Sequence, residues 1–154
     1  MYLYKKIIKN LIKKKLSISF AESCTGGQLT KEFTDIPGIS AILDMALITY
    51  SNKSKSVLLK ISPTLIKKHG AVSEKIAYQM SNNLFKISKS KICVSTTGIA
   101  GPSGGVAKKP VGLVYIGITF NQKTVVFKKN FLGNRKQIQK NTVIFCLKEI
   151  SKLL

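Results

Sequence analysis

The sequence predicts an α/β fold: a mixed sheet covered by helices on both faces, with a β-hairpin in the C-terminal half. Three observations carry this. Amphipathic segments at helical spacing alternate with short apolar runs through the earlier part of the chain. Late in the chain two strand-like segments, "VGLVYIGITF" and "TVVFKKNFL", flank a short "NQK" turn. No internal repeat and no long linker divides the 154 residues, a length that fits one domain over residues 1–154.

Each element has its own signal. Leu3, Ile7, Ile8, Leu11 and Ile12 recur at helical spacing between lysines and form one apolar stripe. Leu16, Ile18 and Phe20 alternate with serines, as a first strand does. A helix is expected from about Thr25 to Phe33, closed by the turn "TDIPGIS". "MALITY" is a continuous apolar run and predicts a buried strand. "NKSKSVLLKI" reads as a short helix. In "SPTLIKKHG", Ser62 is the expected N-cap, Pro63 the first helical residue and Gly70 the stop. Ser73 caps the next helix, whose inner face is Ile76, Ala77, Met80 and Leu84. "KICVSTTG" predicts another buried strand that runs into the loop "GIAGPSGGVAKKP". A last helix spans about Asn134 to Leu153.

Composition narrows the function classes. Hydrophobic content of 44% and the absence of a long uninterrupted apolar stretch predict a soluble, cytoplasmic protein with no membrane partner. Cys24, Cys93 and Cys146 are far apart, odd in number and form no CxxC pair, which argues against a disulfide framework and a cysteine zinc site. One histidine and six acidic residues offer little for a metal cage, so no metal and no cofactor is expected. The formal charge of +20 invites a nucleic-acid reading. Against it, every basic residue except Arg135 is lysine, and the lysines are scattered. Arginine is the preferred residue for bidentate recognition. The accompanying wealth of Ile and Asn points to A/T-rich coding as the simpler origin of the charge.

Three strand ends carry unusual polar or glycine content: "AESCTGG", "TYSNKSK" and "STTGIAGPSGG". In open α/β sheets ligands gather at the carboxyl ends of strands, so parallel neighbours would bring these loops together. Ser23 would precede a helix N-terminus, whose free N–H groups favour a phosphate or an oxyanion. Its plain reading is an N-cap; its chemical reading is a nucleophile. Cys24 is the stronger intrinsic nucleophile, yet buried cysteines are commonly inert. Glu22 is expected to pair with a lysine or cap the helix. Gly26 and Gly27 allow close backbone approach. Tyr50 and Lys55 follow the second strand; a desolvated lysine can act as a base, although a surface charge is the commoner role. Thr97, Gly98 and Gly101 sit in a loop that lacks the GxxxxGK[ST] phosphate motif but can still present N–H groups to an anion. A lone His69 at a helix end gives no Ser-His-Asp triad, leaving Ser-Lys chemistry as the more economical hydrolase.

Taken in order, "AESCTGG", "TDIPGIS", "TYSNKSK", "HGAVSE", "TTGIAGPSGG", "KPVGLVYIGI" and "GNR" resemble the CinA C-terminal domain family, the nicotinamide-nucleotide amidohydrolases. The resemblance runs from about Ala21 to Arg135. It implies a three-layer α/β/α domain in its stand-alone form. It further implies hydrolysis of the carboxamide of nicotinamide mononucleotide to nicotinate mononucleotide and ammonia, in pyridine nucleotide salvage. It places the catalytic positions at Ser23, Tyr50 and Lys55. Substrate contacts are expected from Cys24, Thr25, Gly26, Gly27, Thr97, Gly98, Gly101 and Arg135. Lys55 would take the Ser23 proton directly or through Tyr50. The partner is then a small-molecule nucleotide, and a homo-oligomer, as a dimer, is expected. The alternative is an inactive nucleotide-binding or interaction domain of the same family. Three departures stand out: Ala46 where glycine is common, Lys91 where aspartate is common, and Gln139 where a second basic residue is usual, the last bearing on phosphate affinity.

Overall fold

The computed structural model describes residues 2–154, with side chains from Tyr4 onward; Leu3, counted on the first apolar stripe, lies outside the described side chains. Six α-helices and five strands follow one another as α1 (Tyr2–Lys13), β1 (Ile18–Glu22), α2 (Gln28–Thr34), β2 (Leu43–Ile48), α3 (Asn52–Leu59), α4 (Pro63–His69), α5 (Glu74–Ser88), β3 (Ile92–Gly98), β4 (Leu113–Phe120), β5 (Lys123–Asn130) and α6 (Arg135–Ser151).

The strands form one sheet in the order β2-β1-β3-β4-β5. β2, β1 and β3 are parallel; β4 and β5 are antiparallel additions. Two cores separate the layers. On one face Ile8 and Leu11 of α1, Leu29 and Phe33 of α2, and Val143, Cys146 and Leu147 of α6 close over Ile18, Phe20 and Val94. On the other, Leu59, Ile66, Ile76, Met80 and Leu84 of α3, α4 and α5 close over Ala21 and Cys93. This is the expected three-layer arrangement. Both faces of the central strands are covered: β1 is buried at every position, its Ser19 and Glu22 included.

Three details differ from the sequence reading. "MALITY" is not a buried strand. β2 is a sheet edge whose residues alternate half-buried and exposed, with Asp44, Ala46 and Ile48 open to solvent. The seven-residue α2 packs on β1 and leaves that outer face uncovered. The hairpin turn is two residues rather than three: Phe120 pairs with Lys123, and Asn121 and Gln122 take φ of 50° and 64°. Positive φ at both central residues matches the twist of the flanking strands. Helix α2 begins at Gln28, three residues after the expected start, because Gly26 and Gly27 (φ 59° and 98°) extend the turn behind Ser23.

The chain order makes β1 and β3 the point where the sheet changes direction. The β1 connection runs out to β2 on one side, while β3 lies on the other. A crevice opens at the carboxyl ends of strands at such a point. Ser23 and Thr97–Gly98 lie at those two ends.

Candidate active site

Local backbone bonds carry the sheet one step past β1. The Ser23 N–H donates to the Thr96 carbonyl at 2.9 Å, and the Thr49 N–H to the Glu22 carbonyl at 2.8 Å. Ser23 is thereby fixed to its neighbours on both sides. The turn that follows is held by Glu22, whose side chain is fully buried. Its carboxylate accepts from the N–H groups of Gly27 (3.0 Å), Leu29 (3.1 Å) and Thr30 (2.8 Å) and from the hydroxyls of Thr25 and Thr30, each at 2.6 Å. Five donors thus converge on its two oxygens at the start of α2. Thr25 gives its one hydroxyl hydrogen to Glu22, so Thr96 is the donor in the 2.8 Å contact between the two threonine oxygens.

This arrangement corrects an expectation. The first N–H groups of α2 do not face a phosphate or an oxyanion; Glu22 uses them. Of the two roles expected for Glu22, it caps the helix and pairs with no lysine among the described residues. Ser23 is not the N-cap, a position taken by Gly27.

Lys55 enters from α3. Ser51 and Ser54 form a capping box at the start of that helix, which fixes the direction of its first turn. The Lys55 side chain is buried, 1% exposed, and turns inward. Its Nζ lies 3.0 Å from Ser23 Oγ, 2.6 Å from the Thr49 carbonyl oxygen and 3.4 Å from that of Tyr50. Burial pulls its pKa down from the ordinary lysine value to about 8, with a smaller opposing effect from the Cys24 thiol. As an ammonium, Lys55 donates its three N–H groups to the Ser23 hydroxyl oxygen and to the two carbonyls; once it has lost a proton, its lone pair can take the Ser23 hydrogen. Thr49 Oγ1 is the one buried side-chain oxygen without a partner among the described residues.

Ser23, Cys24, Tyr50, Lys55, Thr97, Gly98, Gly101 and Arg135 line one cleft of about 250 Å³. Ala71 and Val72, just before α5, supply an apolar wall. Arg135, the first residue of α6, crosses the mouth. Its Nη1 donates to the Gly101 carbonyl at 2.9 Å and its Nη2 to the Tyr50 hydroxyl at 2.8 Å. Asn134 and Gln137 form a second capping box that sets this end of α6. Tyr50 is 58% exposed at the rim, and its hydroxyl is at Arg135 rather than at Ser23. The Ser23–Lys55 contact is direct and needs no relay.

The remaining expected residues sit elsewhere. Thr25, Gly26 and Gly27 form the turn behind Ser23 and do not line the cleft. Cys24 lines it, but burial raises its thiol to about 12, which makes it a poor nucleophile beside Ser23. His69 ends α4; its carbonyl accepts from Lys109 Nζ at 3.0 Å. Gln139 was expected only as a missing cation. It instead donates from Nε2 to the Cys24 carbonyl at 2.9 Å. No group of three His, Cys, Asp or Glu residues suited to a metal occurs among the described residues.

Residues 2–154 match the family described as CinA C-terminal domain. The chain belongs to the CinA C-terminal domain family. Among curated CinA relatives it is similar to a CinA-like protein of Endomicrobium trichonymphae, 49% identical over 133 residues, 86% of this chain and 31% of that protein. A CinA-like protein of Fusobacterium nucleatum is 43% identical over 145 residues, 94% of this chain and 35% of that one. The chain thus spans about a third of the length of these curated relatives. Solved CinA structures share the fold along nearly the whole length. The competence/damage inducible protein CihA of Agrobacterium tumefaciens aligns with TM-score 0.94 and 34% identity, covering 99% of this chain and 93% of that one. A competence damage-inducible protein A of Klebsiella pneumoniae aligns with TM-score 0.93 and 27% identity, covering 98% and 94%.

Proposed function

We propose that this chain is an amidohydrolase that converts nicotinamide mononucleotide to nicotinate mononucleotide and ammonia. The observation that carries the reading is the buried Lys55 amine, 3.0 Å from Ser23 Oγ and lowered to about 8. A base and a nucleophile at this distance, in a cleft with no histidine, form a Ser-Lys pair.

The steps follow from the geometry. Neutral Lys55 takes the Ser23 proton as Oγ attacks the carboxamide carbon. The oxyanion that forms would be met by backbone N–H groups beside Ser23, those of Cys24 and Thr25, which have no oxygen acceptor among the described residues. The resulting ammonium of Lys55 returns the proton to the leaving nitrogen, ammonia departs, and an ester of Ser23 remains. Water, deprotonated by the same amine, releases the carboxylate and restores Ser23. Arg135 and the loop at Gly101 stand at the cleft mouth, where a 5′-phosphate projecting from the nucleotide would meet a guanidinium. The wider setting is the one expected from sequence: a self-associating enzyme of the cytoplasm acting on a small-molecule nucleotide in pyridine nucleotide salvage.

The test is ammonia release from nicotinamide mononucleotide by the purified protein. Ser23→Ala and Lys55→Ala are each expected to lower kcat by at least about a thousandfold. Unchanged release in both variants would remove the assignment. A folded wild type that binds the nucleotide without releasing ammonia would favour the inactive family domain.

A further inference from the structure

We infer that Lys109 is a positioning residue: it straps the glycine loop that lines the cleft to the segment that forms the apolar wall. The inference rests on the reading of this cleft as the substrate site. The wall, Ala71 and Val72, follows directly on α4. Three successive carbonyls leading into it are each taken by a side chain. That of His69 accepts from Lys109 Nζ at 3.0 Å, that of Gly70 from the Ser73 hydroxyl at 2.8 Å, and that of Ala71 from the Thr97 hydroxyl at 2.8 Å. A carbonyl and the N–H of the next residue share one planar peptide, so each bond holds the plane that leads onward. Ser73 belongs to the turn itself and Thr97 to β3. Lys109 alone comes from the glycine loop.

That loop, between β3 and β4, is built to transmit the hold. Its neck is closed by the Ile99 N–H on the Leu113 carbonyl at 2.8 Å and the Gly112 N–H on the Ile99 carbonyl at 2.7 Å. Val106 and Lys109 exchange N–H to carbonyl bonds at 2.9 and 3.0 Å, so the backbone beneath the lysine is itself fixed. Val111 fills the loop: a Cβ on Gly101 would lie 2.5 Å from its Cγ1, and one on Gly105 would lie 2.8 Å from its backbone nitrogen. Gly101, Ser103 and Gly104 of the same loop line the cleft. Arg135 holds the loop to the start of α6, and Lys109 holds it to the end of α4. An ammonium suits that end, because the last carbonyls of a helix carry partial negative charge. Gly70 leaves room for it: a Cβ there would lie 2.8 Å from Lys109 Nζ. Ser23 and Lys55 are held by β1, its neighbours and α3. The strap therefore acts on the walls that bind and not on the pair that reacts.

The experiment compares the wild type with Lys109→Met and Lys109→Arg. Methionine keeps an unbranched side chain and removes the donor; arginine restores one. Two readouts are used: hydrogen exchange by mass spectrometry over loop residues 99–112, and kcat and KM for nicotinamide mononucleotide. Lys109→Met is expected to speed loop exchange about fivefold and to raise KM about fivefold, with kcat within about twofold. Lys109→Arg should stay within about twofold of wild type in both. Loop exchange that is the same in Lys109→Met as in wild type overturns the inference; a raised KM would then mark attraction of an anionic substrate by the charge alone. Faster exchange with KM unchanged overturns it too, as does a change that arginine fails to reverse. A wild type that releases no ammonia overturns the amidase reading alone, and faster, arginine-reversible loop exchange would still support the strap.

Discussion

At the scale of the residue, the site depends on a lysine that gives up its proton more easily than a free one. Lys55 is buried, and its pKa of about 8 lies below that of a free lysine because an ammonium there would lose its water. The neutral amine is the base, so kcat/KM for nicotinamide mononucleotide is expected to rise about tenfold per pH unit below pH 8 and to level off above it. A pH-rate profile measures this directly. The same group links stability to pH. Between its folded value near 8 and its unfolded value near 10.4, the unfolded chain binds more protons, so the Lys55 contribution rises with pH across that window. Below pH 8 the penalty for the buried charge is fully present. Unfolding free energies should therefore climb more steeply from pH 8 to 10 in wild type than in Lys55→Met. Parallel curves would show that Lys55 is not desolvated. The sequence named Ser23 and Lys55 from their loops and from family resemblance. It could not show their contact, which joins residues 32 apart. Gln139 stood out in the sequence only as a missing cation; its bond to the Cys24 carbonyl, across 115 residues, was not legible.

At the scale of the element, α2 shows how a short helix can be held from outside itself. Seven residues are few for a helix. Its first N–H groups are met by a carboxylate from the strand before it, and the same residue directly precedes the nucleophile. Glu22→Gln keeps the shape but brings an amide N–H₂ against a set of donors. This substitution is expected to cost about 2–4 kcal/mol, because buried donors are left without partners. Chemical denaturation measures it, and ammonia release should fall in the same variant as the Ser23 turn loosens. The helix and strand types were legible here from apolar spacing, Pro63 and Ser73. The start of α2 was not, because positive-φ glycines lengthened a turn that spacing alone would have made helical. The edge position of β2 was equally hidden: "MALITY" has the composition of a buried strand, and only the pairing order places it outside.

At the scale of the whole molecule, the charge of +20 acts as a field rather than as a recognition surface. The lysines are spread over the helices, while the single arginine stands at the cleft mouth. An anionic nucleotide should be drawn to such a surface. Its kcat/KM is accordingly expected to fall severalfold between about 0.01 and 0.3 M salt, with kcat nearly constant. A flat dependence in steady-state assays would assign the charge no part in capture. The mixed sheet and its hairpin were readable from periodicity. The convergence of three loops was readable only as a consequence of parallel topology, and the strand order β2-β1-β3 supplies that topology.

Helix α6 follows every other element in the chain, yet both Arg135 and Gln139 belong to it. During synthesis the serine and its lysine would emerge from the ribosome well before the helix that finishes their surroundings. In the proposed mechanism the docking of that helix matters twice: α6 closes the core beneath β1 and brings Arg135 to the cleft mouth, so competence would arrive only with it.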